Sequence, residues 1–504
     1  TMIVFDNSPP SPFPTTPATD QRGYTRIVNE HLDIAGSGVI DIGADEVQPT
    51  LYVAHTYELS TIAATSSPTI GEKVLWPQSG SVFNNTLTFG TNAFTSIQAA
   101  IAAAGLGDTI DAAAGTYDES LDITQPLVLE GDDVAGATTT IEGNGSGTGI
   151  TIATGSNSST VLEGFTISGF ATGVSLTSGS AATLRSDTVS GNHSSTSDGG
   201  GITDQGTLDL VQTTVTDNSA SEGGGVFTTG ALTVTDSTVS GDSADEGGGI
   251  VASGTLAVID STVSGNSAAT ANGGGILEDG GNATITNTTV ANNSAAGDGG
   301  GLDISSGNAT VAETTVSGNA ALVGGGIANS GGAVNLANTL VAGNRVSGSS
   351  SSDPDVSGSF ADTDHNLIGL VGDASGFTDG TGAAINGNQV GTTTALDPLL
   401  GTLANNGGFT QTMTPLLGSP ATDAGDNAPQ WPFVVPTSDQ RGYARIVDST
   451  IDIGAVEVQP TLYVANWFFD QSLSSPGVTS TPSIGDQVNW PASGQFAEVD
   501  NLTF

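Results

Sequence analysis

Asp198, Glu222, Glu246 and Asp298 each stand immediately before a run of three glycines, and these runs recur every 24 to 26 residues from Gly199–Gly201 to Gly324–Gly326. Asn272 and Val323 hold the same place before the other two runs. Carboxylates stacked at a fixed interval repel one another unless a cation or water screens them. The series therefore predicts a solvated acidic stripe, with a weak Ca2+ site as the alternative. No EF-hand loop or Asp-spaced nonapeptide is present, and no motif requires a cofactor.

A second concentration of charge lies in two near-copies. DQRGYTRIV (Asp20–Val28) returns as DQRGYARIV (Asp439–Val447), and DIGADEVQPTLYVA (Asp41–Ala54) as DIGAVEVQPTLYVA (Asp452–Ala465). Four of the six arginines, Arg22, Arg26, Arg441 and Arg445, fall in these copies with Asp20, Asp41, Glu46, Asp439, Asp452 and Glu457. An Arg–carboxylate clamp closing the last turn of a module, carried by Arg22 with Glu46 and Arg441 with Glu457, is the expected role.

Catalysis finds less support. Removing the proton α to a uronate carboxylate needs a Lys or Arg beside clustered acids. Between residue 105 and Gly401 the only Lys or Arg residues are Arg185 and Arg345. His193 and His365 stand alone in sequence, and a chain with 52 acids always offers carboxylate pairs. The chain is read as a non-enzyme. Lys73 is the only lysine, and Gln487 takes its place in the second copy, so a Lys–Asn crosslink would not mark every module.

The elements that must position these residues are short. Ile202, Val226, Ile250, Ile276, Leu302 and Ile327 follow the glycine runs. Between runs lie DTVSGN, TTVTDN, STVSGD, STVSGN, TTVANN, TTVSGN and TLVAGN, carrying Val189, Val215, Val239, Val263, Val290, Val316 and Val341. A third short segment of the LDLVQT type completes each period. Three short β-branched strands per turn of about 25 residues, with no helix between them, predict an all-β, right-handed parallel β-helix. The column Asn192, Asn218, Asp242, Asn266, Asn293, Asn319 and Asn344 predicts an internal ladder at a turn, because Asn tolerates left-handed backbone and stacked amides bond along the axis. Asp242 is expected to accept from the amides on either side. TSIQAAIAAAG predicts a short helix with Thr95 as N-cap and Ile97, Ala100, Ile101 and Ala104 on one face, a lid for the open N-terminal end.

The repeated motifs divide the chain into the tail of one module (1–49), a head or β-rich connector (50–94), the β-helix (95–420), its C-terminal cap (421–459) and the head of the next module (460–504). Trp76, Trp431, Trp467 and Trp490 all lie at these joints, which points to packing at a module interface rather than to sugar stacking along the rod. Thr1 opens with no leader pattern, so a processed chain or a window of a longer one is expected.

The balance of 7 Lys and Arg against 52 Asp and Glu gives a net charge of −45. Nucleic acid and anionic membrane are poor partners for such a surface, since both are bound through cations. Cysteine is absent, and no apolar run is long enough to cross a bilayer directly.

The GGGI and VSGN repeats resemble those of polymorphic outer-membrane adhesins, with Val where that family carries Phe. DPLLGTLANNGGFTQTMTPLLGSPATDAGDNA (Asp397–Ala428) followed by DQRGYARIVDSTIDIGAVE (Asp439–Glu457) resembles the choice-of-anchor Q domain of microbial surface proteins. The resemblance implies a pectin-lyase-like β-helix, export, and display on a cell envelope. The expected function is a structural unit of an extracellular or cell-surface fibre, its partners being copies of itself or adjacent modules. An adhesin that takes glycans on the rod flank is the alternative, and a polysaccharide lyase or hydrolase ranks below both.

Overall fold

The computed structural model describes residues 50–459, apart from 55–56, 60–61, 66–69, 71–72, 76–86, 133–137, 154–158, 196–197, 348–353, 362, 379–380, 430–432 and 448, and three short strands beyond them. The chain divides into two compact units, Thr1–Val458 and Gln459–Phe504.

In the first unit the predicted coil is a right-handed parallel β-helix. Its register follows the sequence period. Val189, Val215, Val239, Val263, Val290, Val316 and Val341 pair in one continuous ladder, which Ile368 and Val390 extend. They belong to a 12-stranded parallel sheet. At about 4.8 Å per strand this sheet runs for about 53 Å. A 21-stranded sheet takes two further strands from most turns, such as Ile202–Asp204 and Thr207–Val211. Alternation places Ile202, Leu208, Leu210 and Val215 inward, each with 0% exposure. Burying such a side chain contributes about 1.5–3 kcal/mol, and each turn repeats the gain.

The expected three strands gain a fourth in six turns, from Ser219–Glu222 to Arg345–Val346, and these form their own sheet. The glycine runs follow at this corner. The first glycine of each run has φ between 58° and 70°, where a Cβ is disfavoured. A Cβ on Gly200 would lie 2.3 Å from the Ser219 carbonyl oxygen, and one on Gly201 2.5 Å from that of Gly225. One glycine is thus fixed by conformation and the next two by the approach of the neighbouring turn.

The helix spans Ile97–Ala103, and Ser96, not Thr95, is its N-cap, its Oγ accepting from Ala99 N at 3.3 Å. Glu119 from the coil accepts from Ile97 N and Gln98 N, both at 3.0 Å, placing negative charge where the free amides point. The buried face of Ile97, Ala100 and Ile101 joins the rod core with Leu51, Val53 and Phe94. Thr50–Val53 is itself a rod strand, paired in parallel with Thr109–Ala112, so the rod begins inside the segment expected to be a connector.

Rod strands end at Val390. The coil was expected to run to residue 420 and residues 421–459 to cap it, but the chain after Val390 lies along the flank. Gln389 Nε2 donates to Pro420 O, Ala421 and Ile453 cluster with Leu340 and Leu367, Ala455 N donates to Thr315 Oγ1, and Thr289 Oγ1 donates to Gln440 Oε1. Thr262, Thr289, Thr315, Leu340, Leu367 and Gln389 form one register of the 12-stranded sheet. The tail retraces successive turns along it. Thr188, Thr214 and Thr238, earlier in the same register, are only half-buried, whereas Thr262, Thr289 and Thr315 are buried.

The duplicated sequence folds alike in both units. In the first, antiparallel pairing sets Glu58 opposite Leu75 and Leu59 opposite Val74. In the second, Phe469 faces Asn489 and Asp470 faces Val488, which are the aligned positions of the second copy.

Candidate functional site

The tail docks on a column that the sequence reading did not single out. Eight successive turns enter the 12-stranded sheet through one non-glycine residue of left-handed backbone: Ser186, Gln212, Asp236, Asp260, Asn287, Glu313, Asn338 and His365, with φ between 45° and 54°. Their outward side chains form a polar strip. Asp260 O accepts from Thr410 Oγ1 at 3.1 Å, and Asn287 Nδ2 donates to Ser438 O at 2.6 Å. Asn338 exchanges two bonds with Asp426, donating to its carbonyl at 3.0 Å and accepting from its N–H at 2.7 Å.

The residue after each corner turns inward and builds a second polar ladder. Thr213 N donates to Ser237 Oγ, Ser237 N to Ser261 Oγ, and Thr339 N to Asn366 Oδ1, at 3.0–3.1 Å. The only sequence signal was the Ser, Thr or Asp that opens each hexapeptide. Asp187 starts this column; burial pushes its carboxyl up to about 8, and Oδ2 has no partner.

The Asn column is internal and directional. Asn192 N and Nδ2 both donate to Asn218 Oδ1, and Asn266, Asn293 and Asn319 repeat this toward the next turn at 2.9–3.0 Å. Asn344 ends the series on Asp355 Oδ1, at 2.8 and 2.9 Å. Asp242 does not accept on both sides. Its Oδ1 accepts from Asn218, but its own N–H donates to Asn266, whose Oδ1 faces it as an acceptor. Asp242 Oδ2 is buried without a partner, and burial raises its carboxyl well above the usual range.

Asp198, Glu222, Glu246 and Asp298 stack on successive turns, half-buried, with Asn272 between Glu246 and Asp298. Backbone bonds tie each of these turns to the next, and Asn272 Oδ1 accepts from Asp298 N at 2.9 Å. Burial, then repulsion from Asp198, Glu246 and Asp279, raises the Glu222 carboxyl.

In the tail, Arg441 Nε and Nη2 bond Asp439 Oδ2 at 3.0 and 2.6 Å, and Nη2 also donates to the Glu457 carbonyl oxygen at 2.5 Å. The Glu457 carboxylate accepts from Val447 N and Asp452 N. Arg441 therefore clamps Asp439, while Glu457 organises the tail backbone. Arg445 is the residue driven inside: its exposure is 0%, and it donates to Gly454 O and Asp452 O. Burial lowers its pKa, while Glu313, Glu457, Asp439 and Asp452 raise it. Burial raises Glu313 and Glu457 to about 7, with Arg445 opposing both shifts.

His365, isolated in sequence, is not isolated in space. Its Nδ1 lies 2.6 Å from Asp364 Oδ1, and Asp426 from the tail converges on the pair, with ligand atoms of all three within 4.8 Å of one another. Arg22, Glu46, Trp76, Trp431, Trp467 and Trp490 lie outside the described residues.

Fold and site together define a class: a parallel β-helix rod clasped along its flank by its own C-terminal tail. The family described as "Protein of unknown function (DUF1565)" matches residues 84–322. No curated protein matches the chain. Among solved structures it is similar to one titled "Crystal structure of pectate lyase Pel9A", with 15% identity, a TM-score of 0.44, and coverage of 82% of this chain and 98% of that one.

Proposed function

We propose that this chain is a non-enzymatic structural unit of an extracellular or cell-surface fibre built from tandem β-helix modules. One observation carries the reading: the motif that ends the clasped tail leads into the same antiparallel pairing in both copies. In the first copy, TLYV is already a strand of the rod. In the second, only Gln459 and Pro460 separate Val458 from the equivalent segment. Kinship with choice-of-anchor Q surface proteins and polymorphic outer-membrane adhesins belongs to this proposal, as does export. Among the described residues no helix is long and apolar enough to cross a membrane.

Electron microscopy of the purified chain tests the reading. End-to-end filaments are expected. Dispersed rods of about 50–60 Å that bind immobilised glycans would transfer the assignment to an adhesin. One observation favours that second reading: the outer surface of the tail exposes Phe409, Leu417 and Tyr443 at 67%, 97% and 46%.

The acidic stripe is proposed to be screened weakly by Ca2+. Adding millimolar CaCl2 to chelator-treated protein is expected to raise the melting midpoint by about 1–2 °C, the linkage expected of a millimolar site. An unchanged midpoint rejects the site.

A further inference from the structure

We propose that Asp364, His365 and Asp426 form a binding site for a divalent transition-metal ion, Zn2+ being the reference, which staples the tail to the last turns of the rod. This goes beyond the fibre reading and does not depend on it. The donor set is one imidazole and two carboxylates, a combination that suits borderline ions such as Zn2+ and is a poor match for Ca2+, which prefers six or more oxygens.

The three residues come from two parts of the fold, a rod corner and the tail, joined through Asn338. His365 occupies the left-handed corner at φ 47°, with its N–H bonded to Asn386 O at 2.9 Å. Asp364 precedes it, its carbonyl accepting from Asn338 N at 3.0 Å. Asp426 comes from the tail, fixed against the same Asn338 through both its N–H and its carbonyl. Gly387 lies beneath the imidazole, where a Cβ would sit 2.4 Å from Nε2, so the ring rests directly on the backbone. All three residues are half-buried, open enough for an ion to enter. Tetrahedral coordination at about 2.0–2.1 Å spaces ligand atoms by about 3.3 Å, so the 2.6 Å pair of Asp364 and His365 opens by under an ångström as the ion replaces the proton between them.

The test is calorimetric titration of chelator-treated full-length protein with ZnCl2, paired with limited proteolysis of the tail. One high-affinity site per chain is expected, undiminished by millimolar CaCl2, with slower cleavage of the tail when Zn2+ is bound. His365→Asn retains a residue suited to left-handed backbone, and Asp426→Asn keeps the backbone bonds to Asn338. Each is expected to weaken Zn2+ binding at least 10-fold while leaving the metal-free melting midpoint near that of the parent. Absence of a stoichiometric site, a Zn2+ affinity in either variant equal to that of the parent, or full displacement by Ca2+ would each overturn the proposal.

Discussion

Asp242→Asn is expected to stabilise the protein by about 1–3 kcal/mol at pH 8 and to change little at pH 4, the range spanned by leaving a buried polar group unsatisfied. The ladder runs one way: each amide nitrogen donates to the next turn and also back to a backbone carbonyl of the preceding turn, as Asn218 does to Val189 O and Asn266 to Val239 O. Asp242 Oδ2 replaces that nitrogen, so an ionised carboxylate presents an acceptor where the ladder supplies only acceptors. Protonation converts Oδ2 into the missing donor. The carboxyl is raised in the folded state, chiefly by burial, so the folded protein holds its proton more tightly than the unfolded chain. Stability from this group is therefore complete below the unfolded carboxyl value near 4 and is lost as pH rises through the folded value. Denaturation midpoints of parent and variant at both pH values check this. Equal pH slopes for the two proteins would show that Asp242 does not titrate with folding. A residual slope is expected in the variant, because Asp187 is raised to about 8 and Glu278 to about 7, both mainly by burial.

Arg445→Met should release the tail. The arginine is fully buried and opposes the upward shift of both the Glu313 and the Glu457 carboxyl. Arg445 donates to Gly454 O and Asp452 O and acts on these carboxylates through space, so its loss is expected to cost about 1–3 kcal/mol, the range for leaving buried polar groups unpaired. The loss should fall on tail docking rather than on the rod, whose strands do not depend on Arg445. Limited proteolysis should then cut between residues 391 and 458 while the coil resists. Glu313→Gln in the Arg445→Met background should restore part of the protection, since it removes the stranded carboxylate. Unchanged cleavage in the single variant would show that Arg445 is not what holds the tail. The clasp also carries a pH sign. Glu313 and Glu457 sit at about 7 when folded, above their unfolded values, so docking is firmest in acid and weakens as pH rises through about 7.

The sequence by itself determined the coil, because in a β-helix the same local instruction is issued every turn. Alternating Val, Ile and Leu choose the inner face, and the glycine runs mark the corner where neighbouring turns touch. The Asn column was legible for the same reason, although the direction of its bonds, and hence the misfit of Asp242, was not: polarity along the ladder depends on which neighbour each carbonyl faces. The Ser and Thr ladder was visible in principle but hidden by residues common everywhere in this chain. Where the tail goes depends on long-range contacts. Gln440 meets Ser261 across 179 positions, and Asp426 reaches Asn338 across 88. No periodicity links such partners, since the tail is an irregular segment laid once against a repeating surface. The buried role of Arg445 and the meeting of His365 with Asp426 follow from that single act of docking, which is why residues that look isolated along the chain converge in space.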